Sequence, residues 1–213
     1  MHRLFLILCF LTIFNVSQSQ IKALTENGKE VTLFDDGTWK FSEDSSNTKV
    51  DSISTNVNKF SRQRNATFLV KSNTFNIGVY IDPSKWAFST RKANEKNPEY
   101  TFSMKNQEGY ALMVTEKTPI DLESMREIAL SNAKRASLDA KITSAEYRMV
   151  NNKKVLCIKL QGTLQGIKFG YLGYYFTNDN GTTQLLSYTS QQFFGSMEKE
   201  LEIFLNGLVE ISK

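Results

Sequence analysis

The sequence predicts an α+β fold: an antiparallel sheet covered by helices, with a small N-terminal β-hairpin module ahead of it. Three observations carry this. Segments 142–150, 155–162, 167–177 and 182–190 are long and rich in β-branched and aromatic residues, the composition of strands that bury at least one face. Asn151-Asn152 and Asp179-Asn180-Gly181 separate members of the series, and these residue types accept the turn conformations that join antiparallel neighbours. Apolar stripes at helical spacing in 121–137 and 196–210 supply the covering layers. The order strands, helix, strands, helix is that of an α+β domain.

Taken in order, residues 1–19 read as an export signal. His2 and Arg3 make a short polar start, and Leu4 to Phe14 is apolar apart from Thr12. That run is too short to span a bilayer, and Ser17-Gln18-Ser19 places small residues where a signal peptidase cuts, after Ser19. No later stretch is apolar over the roughly 18 residues a membrane helix needs, so no transmembrane segment is expected after cleavage. Cleavage also changes the available chemistry. His2 is the only histidine, and Cys9 leaves with it, so Cys157 remains as the single cysteine. Histidine bases, His-ligated zinc and an intramolecular disulfide are thereby excluded from the mature chain. Loss of Arg3 takes the formal charge from +4 to +3, too mild to argue for nucleic acid or an acidic surface.

Residues 20–42 form the hairpin module. Asn27-Gly28 and Asp36-Gly37 each stand between β-prone runs, and both dipeptides suit the positive φ of tight hairpin turns. Leu33, Trp39 and Phe41 exceed what a three-stranded meander can bury by itself, so they are expected to pack on the main domain or on a partner. Residues 43–65 are Ser-, Asn- and Thr-rich and charged, and read as a flexible linker. The α+β domain then occupies 66–213. Its first strands are expected at 67–71, 75–81, 87–90, 100–105 and 110–115, with Pro83 turning the chain and Trp86 closing the edge of the core. The helix over 121–137 buries Leu122, Met125, Ala129, Ala133 and Ala136, and either a Thr118 capping box or Asp121 starts it. The last helix, 196–210, buries Met197, Leu201, Phe204, Leu205 and Leu208 and turns Glu198, Lys199, Glu202 and Glu210 outward.

The run Phe75-x-Ile77-x-Val79-x-Ile81-x-Pro83-x-x-Trp86 resembles the opening of the PsbP-like and DcrB-like domains, with a strand, a proline turn and a buried tryptophan. The central helix, the long strands and the C-terminal Phe193–Val209 helix follow in matching order over about 66–213. This resemblance implies an α/β/α sandwich with accessory or binding roles. It implies no shared catalytic constellation.

Candidate chemistry is sparse. Gly162, Gly166, Gly170 and Gly173 recur closely, but neither a P-loop nor GxGxxG is present, so they mark bulges or places where large neighbours pack close. Phe169 to Tyr174 matches six positions of an RNA-binding strand pattern, but an exported, nearly neutral chain without the matching strand order is not expected to bind nucleic acid. Asp35-Asp36-Gly37 and Asp179-Asn180-Gly181 lack the distal Glu of a calcium loop. Glu198, Glu200 and Glu202 imply no pocket, and Cys157 in Val155–Ile158 reads as a small buried hydrophobe. No cofactor or metal is expected.

Two aromatic sets remain as binding candidates. Trp39 and Phe41 serve either as an exposed platform or as pins of the small sheet. Tyr171, Tyr174 and Tyr175 line either a binding face of the sheet or cross-strand core pairs. The leading expectation is a non-enzymatic exported accessory protein, periplasmic or secreted, that binds another envelope protein through its sheet face or its hairpin. The alternative is a carrier for a small apolar or glycan ligand in a pocket lined by Tyr171, Tyr174 and Tyr188.

Overall fold

The computed structural model describes residues 21–25, 30–41, 53–91 and 98–211. The expected signal at 1–19 and the Asn27-Gly28 turn lie outside the described residues.

The meander is present: β1 (Ile21–Leu24), β2 (Glu30–Leu33) and β3 (Trp39–Phe41) pair antiparallel in that order. At the Asp35-Asp36-Gly37 turn, Gly37 adopts φ +80°, and the Thr38 hydroxyl donates to Asp36 Oδ1 at 2.6 Å. Val31 is buried in this sheet, whereas Leu33, Trp39 and Phe41 are exposed.

The next strand corrects the linker. Ser54–Phe60 is β4, an edge strand running parallel to β10 (Lys141–Val150). Its polar composition is that of a strand with one neighbour and mostly solvent-facing side chains. The expected linker 43–65 therefore ends before 54, and residues 42–52 lie outside the described residues.

The remaining strands are β5 (Phe68–Lys71), β6 (Ile77–Ile81), β7 (Trp86–Thr90), β8 (Tyr100–Met104), β9 (Tyr110–Glu116), β11 (Lys153–Leu164), β12 (Ile167–Asn178), β13 (Gly181–Ser190) and β14 (Leu208–Glu210). Eight strands make one sheet in the order β4-β10-β11-β12-β13-β9-β8-β7, and β14-β6-β5 make a second. The domain is thus α+β and mostly sheet. The large sheet is mixed rather than wholly antiparallel, because β4 enters it by a long-range pairing and not through a hairpin.

Local chemistry sets the long hairpins. Asn151 and Asn152 take φ 47° and 65°, and Gln165-Gly166 take φ 50° and 82°. These left-handed pairs let two residues reverse the chain without opposing the strand twist. The close-packing reading of the glycines holds at Gly170, where a Cβ would collide with the Phe194 ring.

Helix α1 (Met125–Ala136) starts later than expected, because Asp121 first closes a turn by accepting the Ser124 backbone N–H at 2.8 Å. Helix α2 (Gln191–Leu205) starts directly after β13 and ends five residues before the expected boundary. The chain then breaks at Asn206-Gly207 to return along β6. Gly207 O accepts the Tyr80 N–H at 2.9 Å, and a Cβ there would collide with Tyr80 O. Leu208 is buried as expected, but from β14.

The core has two parts on opposite faces of the large sheet, since neighbouring strand residues alternate between them. Cys157, Leu172, Tyr174 and Leu185 pack with Met197, Leu201, Phe204 and Leu205 of α2 and with Ile77, Val79 and Ile81 of the small sheet. Trp86 joins this cluster as expected, its ring 4.3 Å from that of Phe204. Leu156, Ile158 and Tyr175 pack with Met125 and Ala129 of α1.

Candidate functional site

Alternation along β12 puts Phe169, Tyr171, Gly173 and Tyr175 on the α1 side of the sheet. Helix α1 contacts β10 and β11 and Tyr175 is buried with it, whereas Phe169, Tyr171, Tyr188 and Tyr110, on β12, β13 and β9 of the same face, stay near solvent. There the register aligns Tyr171 with Tyr188 and Tyr188 with Tyr110. The three rings form a ladder: Tyr171 to Tyr188 at 5.4 Å and Tyr188 to Tyr110 at 5.7 Å, the latter stacked with 27° between planes. Phe169 closes one end, 6.1 Å from Tyr171 and 6.2 Å from Tyr188. Tyr171 and Tyr188 are half-buried, and Tyr110 is 41% exposed. Burial pushes the Tyr171 and Tyr188 phenols up, each helped by its tyrosine neighbour, so both remain neutral hydrogen-bond donors at physiological pH.

Tyr174 is not part of this ladder. Three residues from Tyr171, it points from the other face and is fully buried. Its hydroxyl donates to Asn206 Oδ1 at 2.9 Å and accepts from Arg148 Nη1 at 3.1 Å. Arg148 also reaches Glu146 at 2.5 Å and Glu202 at 2.6 Å, and lies 4.4 Å from the Phe60 ring centroid. A pocket shared by Tyr171, Tyr174 and Tyr188 therefore does not exist; the sheet itself separates them. The expectation that Glu202 and Glu210 face outward is corrected too. Glu202 ties α2 to β10, and Glu210 ties β14 to Lys153 and to Asn178.

Trp39 and Phe41 form an edge-to-face pair at 5.2 Å, with Trp39 54% and Phe41 49% exposed. A further apolar surface is the open groove of about 310 Å³ between β7 and β5, lined by Phe68, Pro83, Trp86, Phe88 and Lys105.

Four of the candidate groups singled out from the sequence have structural partners or are buried. Burial pushes the Cys157 thiol up to about 12, against the opposing pull of Arg148, which keeps it protonated and inert. Glu198, Glu200 and Glu202 pair with Lys159, Lys85 and Arg148 respectively. Among the described residues, no group of three or more His, Cys, Asp or Glu is placed to hold a metal.

Two signals of the ladder stand in the sequence. The spacing of three between Tyr171 and Tyr174 already puts them on opposite faces. Tyr110, not singled out from the sequence, belongs to a wider pattern. Residues 86–90, 100–104, 110–115, 169–178 and 180–190 contain no Asp, Glu, Lys or Arg, in a chain that is 23% charged. The strands holding these segments are neighbours in the sheet, and Lys168 and Glu116, at strand ends, are the charged residues within them.

No protein-family model matches the sequence, and no curated protein matches it. Among solved structures, the chain is similar to the cyanobacterial PsbP (CyanoP) of Synechocystis at 9% identity and TM-score 0.54, covering 67% of this chain and 91% of that one. It is similar at TM-score 0.44 and 9% identity to a protein of unknown function from Pseudomonas aeruginosa described as a putative regulator, over 68% of this chain and 98% of that one. A Bacteroides thetaiotaomicron protein is similar at TM-score 0.43 and 12% identity, over 68% of this chain and 48% of that one. The domain thus has a PsbP-like fold. At such identities the likeness concerns fold alone.

Proposed function

We propose that the protein is an exported, non-enzymatic binding protein of the cell envelope, built as an α/β/α sandwich, whose binding surface is the tyrosine-bearing half of the large sheet. One observation supports this reading above the rest: Phe169, Tyr171, Tyr188 and Tyr110 form a continuous aromatic row that is only half-buried. A sheet face with no partner normally alternates to polar residues toward water, and a row of half-covered rings is the composition of a recognition surface. The face is open, which favours a surface contact over an enclosed carrier pocket. Export rests on the leader pattern of residues 1–19.

Hydroxyl-radical footprinting tests the surface directly, comparing purified protein in buffer with the same protein in its own envelope extract. Tyr110, Tyr171 and Tyr188 are expected to be protected in the extract while Tyr80 and Tyr147, half-buried elsewhere on the domain, are not. Equal modification in both samples overturns the reading.

A second reading has its own support. The exposed Trp39–Phe41 pair gives the meander an aromatic anchor of the kind that docks on a protein partner. In that case deleting 20–42 abolishes capture of an envelope protein and leaves the tyrosine footprint unchanged.

A further inference from the structure

Beside Tyr110 the sheet drops to a floor of small side chains. Ser103 of β8 is the register partner of Tyr110, Ala87 of β7 is the partner of Ser103, and Ser89 is the partner of Thr101. Alternation places Ala87, Ser89, Thr101 and Ser103 on the same face as the ladder, and all four are exposed. The hydroxyls of Ser89, Thr101 and Ser103 make no side-chain hydrogen bond among the described residues. One side of the Tyr110 ring is taken by Tyr188. On the other side stands Ser103, too short to cover a phenol. The result is a step with an aromatic wall, a hydroxyl-bearing floor two strand spacings wide, about 10 Å, and no charged side chain on the three strands alongside it between 86–90, 100–104 and 110–115.

These features select a ligand class. A phosphorylated or acidic ligand brings a charge that needs a cation, and none of the four floor side chains supplies one; Arg91, the next residue of that parity, lies beyond the end of β7 and is already engaged, and desolvating the charge unpaired is costly. A lipid chain or an apolar peptide would bury three hydroxyls without partners, which is also unfavourable. A pyranose suits both surfaces, since its C–H face lies on an aromatic ring while its rim of hydroxyls exchanges hydrogen bonds with Ser and Thr. Building on the sheet-face reading above, we propose that the Tyr110 step binds a neutral oligosaccharide. One sugar ring lies on the outer side of Tyr110 and its hydroxyls are held by Ser103, Thr101 and Ser89.

The test is titration calorimetry and saturation-transfer NMR of the mature chain with cellohexaose, maltohexaose and chitohexaose, with hexagalacturonate as the anionic control. At least one neutral hexamer is expected to bind, and hexagalacturonate to bind more weakly or not at all. Tyr110→Ala is expected to weaken binding about tenfold or more through loss of the stacking surface. Ser103→Arg, which fills the exposed floor without touching the core, is expected to do the same with an unchanged melting temperature, so the test survives if Tyr110→Ala folds poorly. Trp39→Ala is expected to leave binding intact. Absence of binding by all three neutral hexamers, tighter binding of hexagalacturonate, or insensitivity to both Tyr110→Ala and Ser103→Arg overturns the proposal. If the hexamers fail while the footprint protection persists, only the carbohydrate class falls; if the protection is also missing, the sheet-face reading falls with it.

Discussion

Arg148→Met isolates the polar network that joins the β4 edge of the sheet to α2. Methionine keeps the length of the aliphatic stem, so the change in packing is small. What is lost is the 2.5 Å contact to Glu146, the 2.6 Å contact to Glu202 and the 4.4 Å stack on Phe60. The Tyr174 hydroxyl keeps its bond to Asn206 and adds little to the loss. Arg148 is 7% exposed, but the two carboxylate side chains retain 27% and 28% of their surface, so water regains them in the variant. The cost therefore falls between the ~3–5 kcal/mol of breaking a fully buried pair and the ~1 kcal/mol ceiling of an exposed one. Two charge-assisted hydrogen bonds of roughly 1.5–3 kcal/mol each, about half recovered by rehydration, give about 1.5–3 kcal/mol. At this chain length that lowers Tm by about 3–12 °C.

Urea denaturation followed by circular dichroism measures it, and pH supplies a second reading. Burial acts to raise the Glu146 carboxyl, but the Asn56 amide and the Arg148 guanidinium outweigh it and hold it below the usual carboxylate range. A carboxyl lowered in the folded state contributes stability above its unfolded pKa and loses it as pH falls through the folded value. Wild type is therefore expected to lose more stability than Arg148→Met on going from neutral pH to roughly pH 3, narrowing the gap between them. A loss below about 0.5 kcal/mol at neutral pH, as for a solvated surface pair, or a gap that does not narrow in acid, refutes the reasoning.

Cys157 is expected to resist Ellman's reagent in the native protein and to react only in denaturant, because burial holds its thiol protonated; rapid native labelling contradicts this. Gly170→Ala is expected to destabilise by about 1–3 kcal/mol by driving a methyl into the Phe194 ring, read from the same urea curves. A fragment beginning at Ala66 is expected to be less stable than one beginning at Ile53 by about 2 kcal/mol or more, because it loses β4 and the Phe60 side chain; equal melting temperatures would return 54–60 to the linker. The exported protein is expected to begin at Gln20 or Ile21, and an intact mass retaining Met1 to Ser19 would contradict the leader.

Features governed by neighbouring residues were legible in the sequence. Asn151-Asn152 turns the chain because its side chains tolerate positive φ, and Trp86 is buried where Pro83 ends a strand. The stripe Met197, Leu201, Phe204 and Leu205 faces the core from a helix, as its spacing requires. Features that depend on distant partners were not legible. The polar residues of 54–60 look like linker because an edge strand needs no apolar face of its own, and only the remote β10 makes them a strand. Helix α2 stops at Leu205 because Gly207 must approach Tyr80 closely, a contact 127 residues away in the chain that periodicity within the helix does not report.

The candidate site divides along the same line. Which aromatics share a face follows from the order of residues along each strand, since a strand alternates sides with every residue, and so does the lack of charge in five of the strand segments. That those five segments are neighbours, that α1 covers β10 and β11 and leaves the tyrosine row half-open, and that Tyr174 is sealed beneath α2 with Arg148 all depend on how the chain packs. The physical reason is one of range. Turn chemistry and side-chain alternation act over a few residues, whereas the choice of which face stays open is made by the packing of elements far apart in the chain.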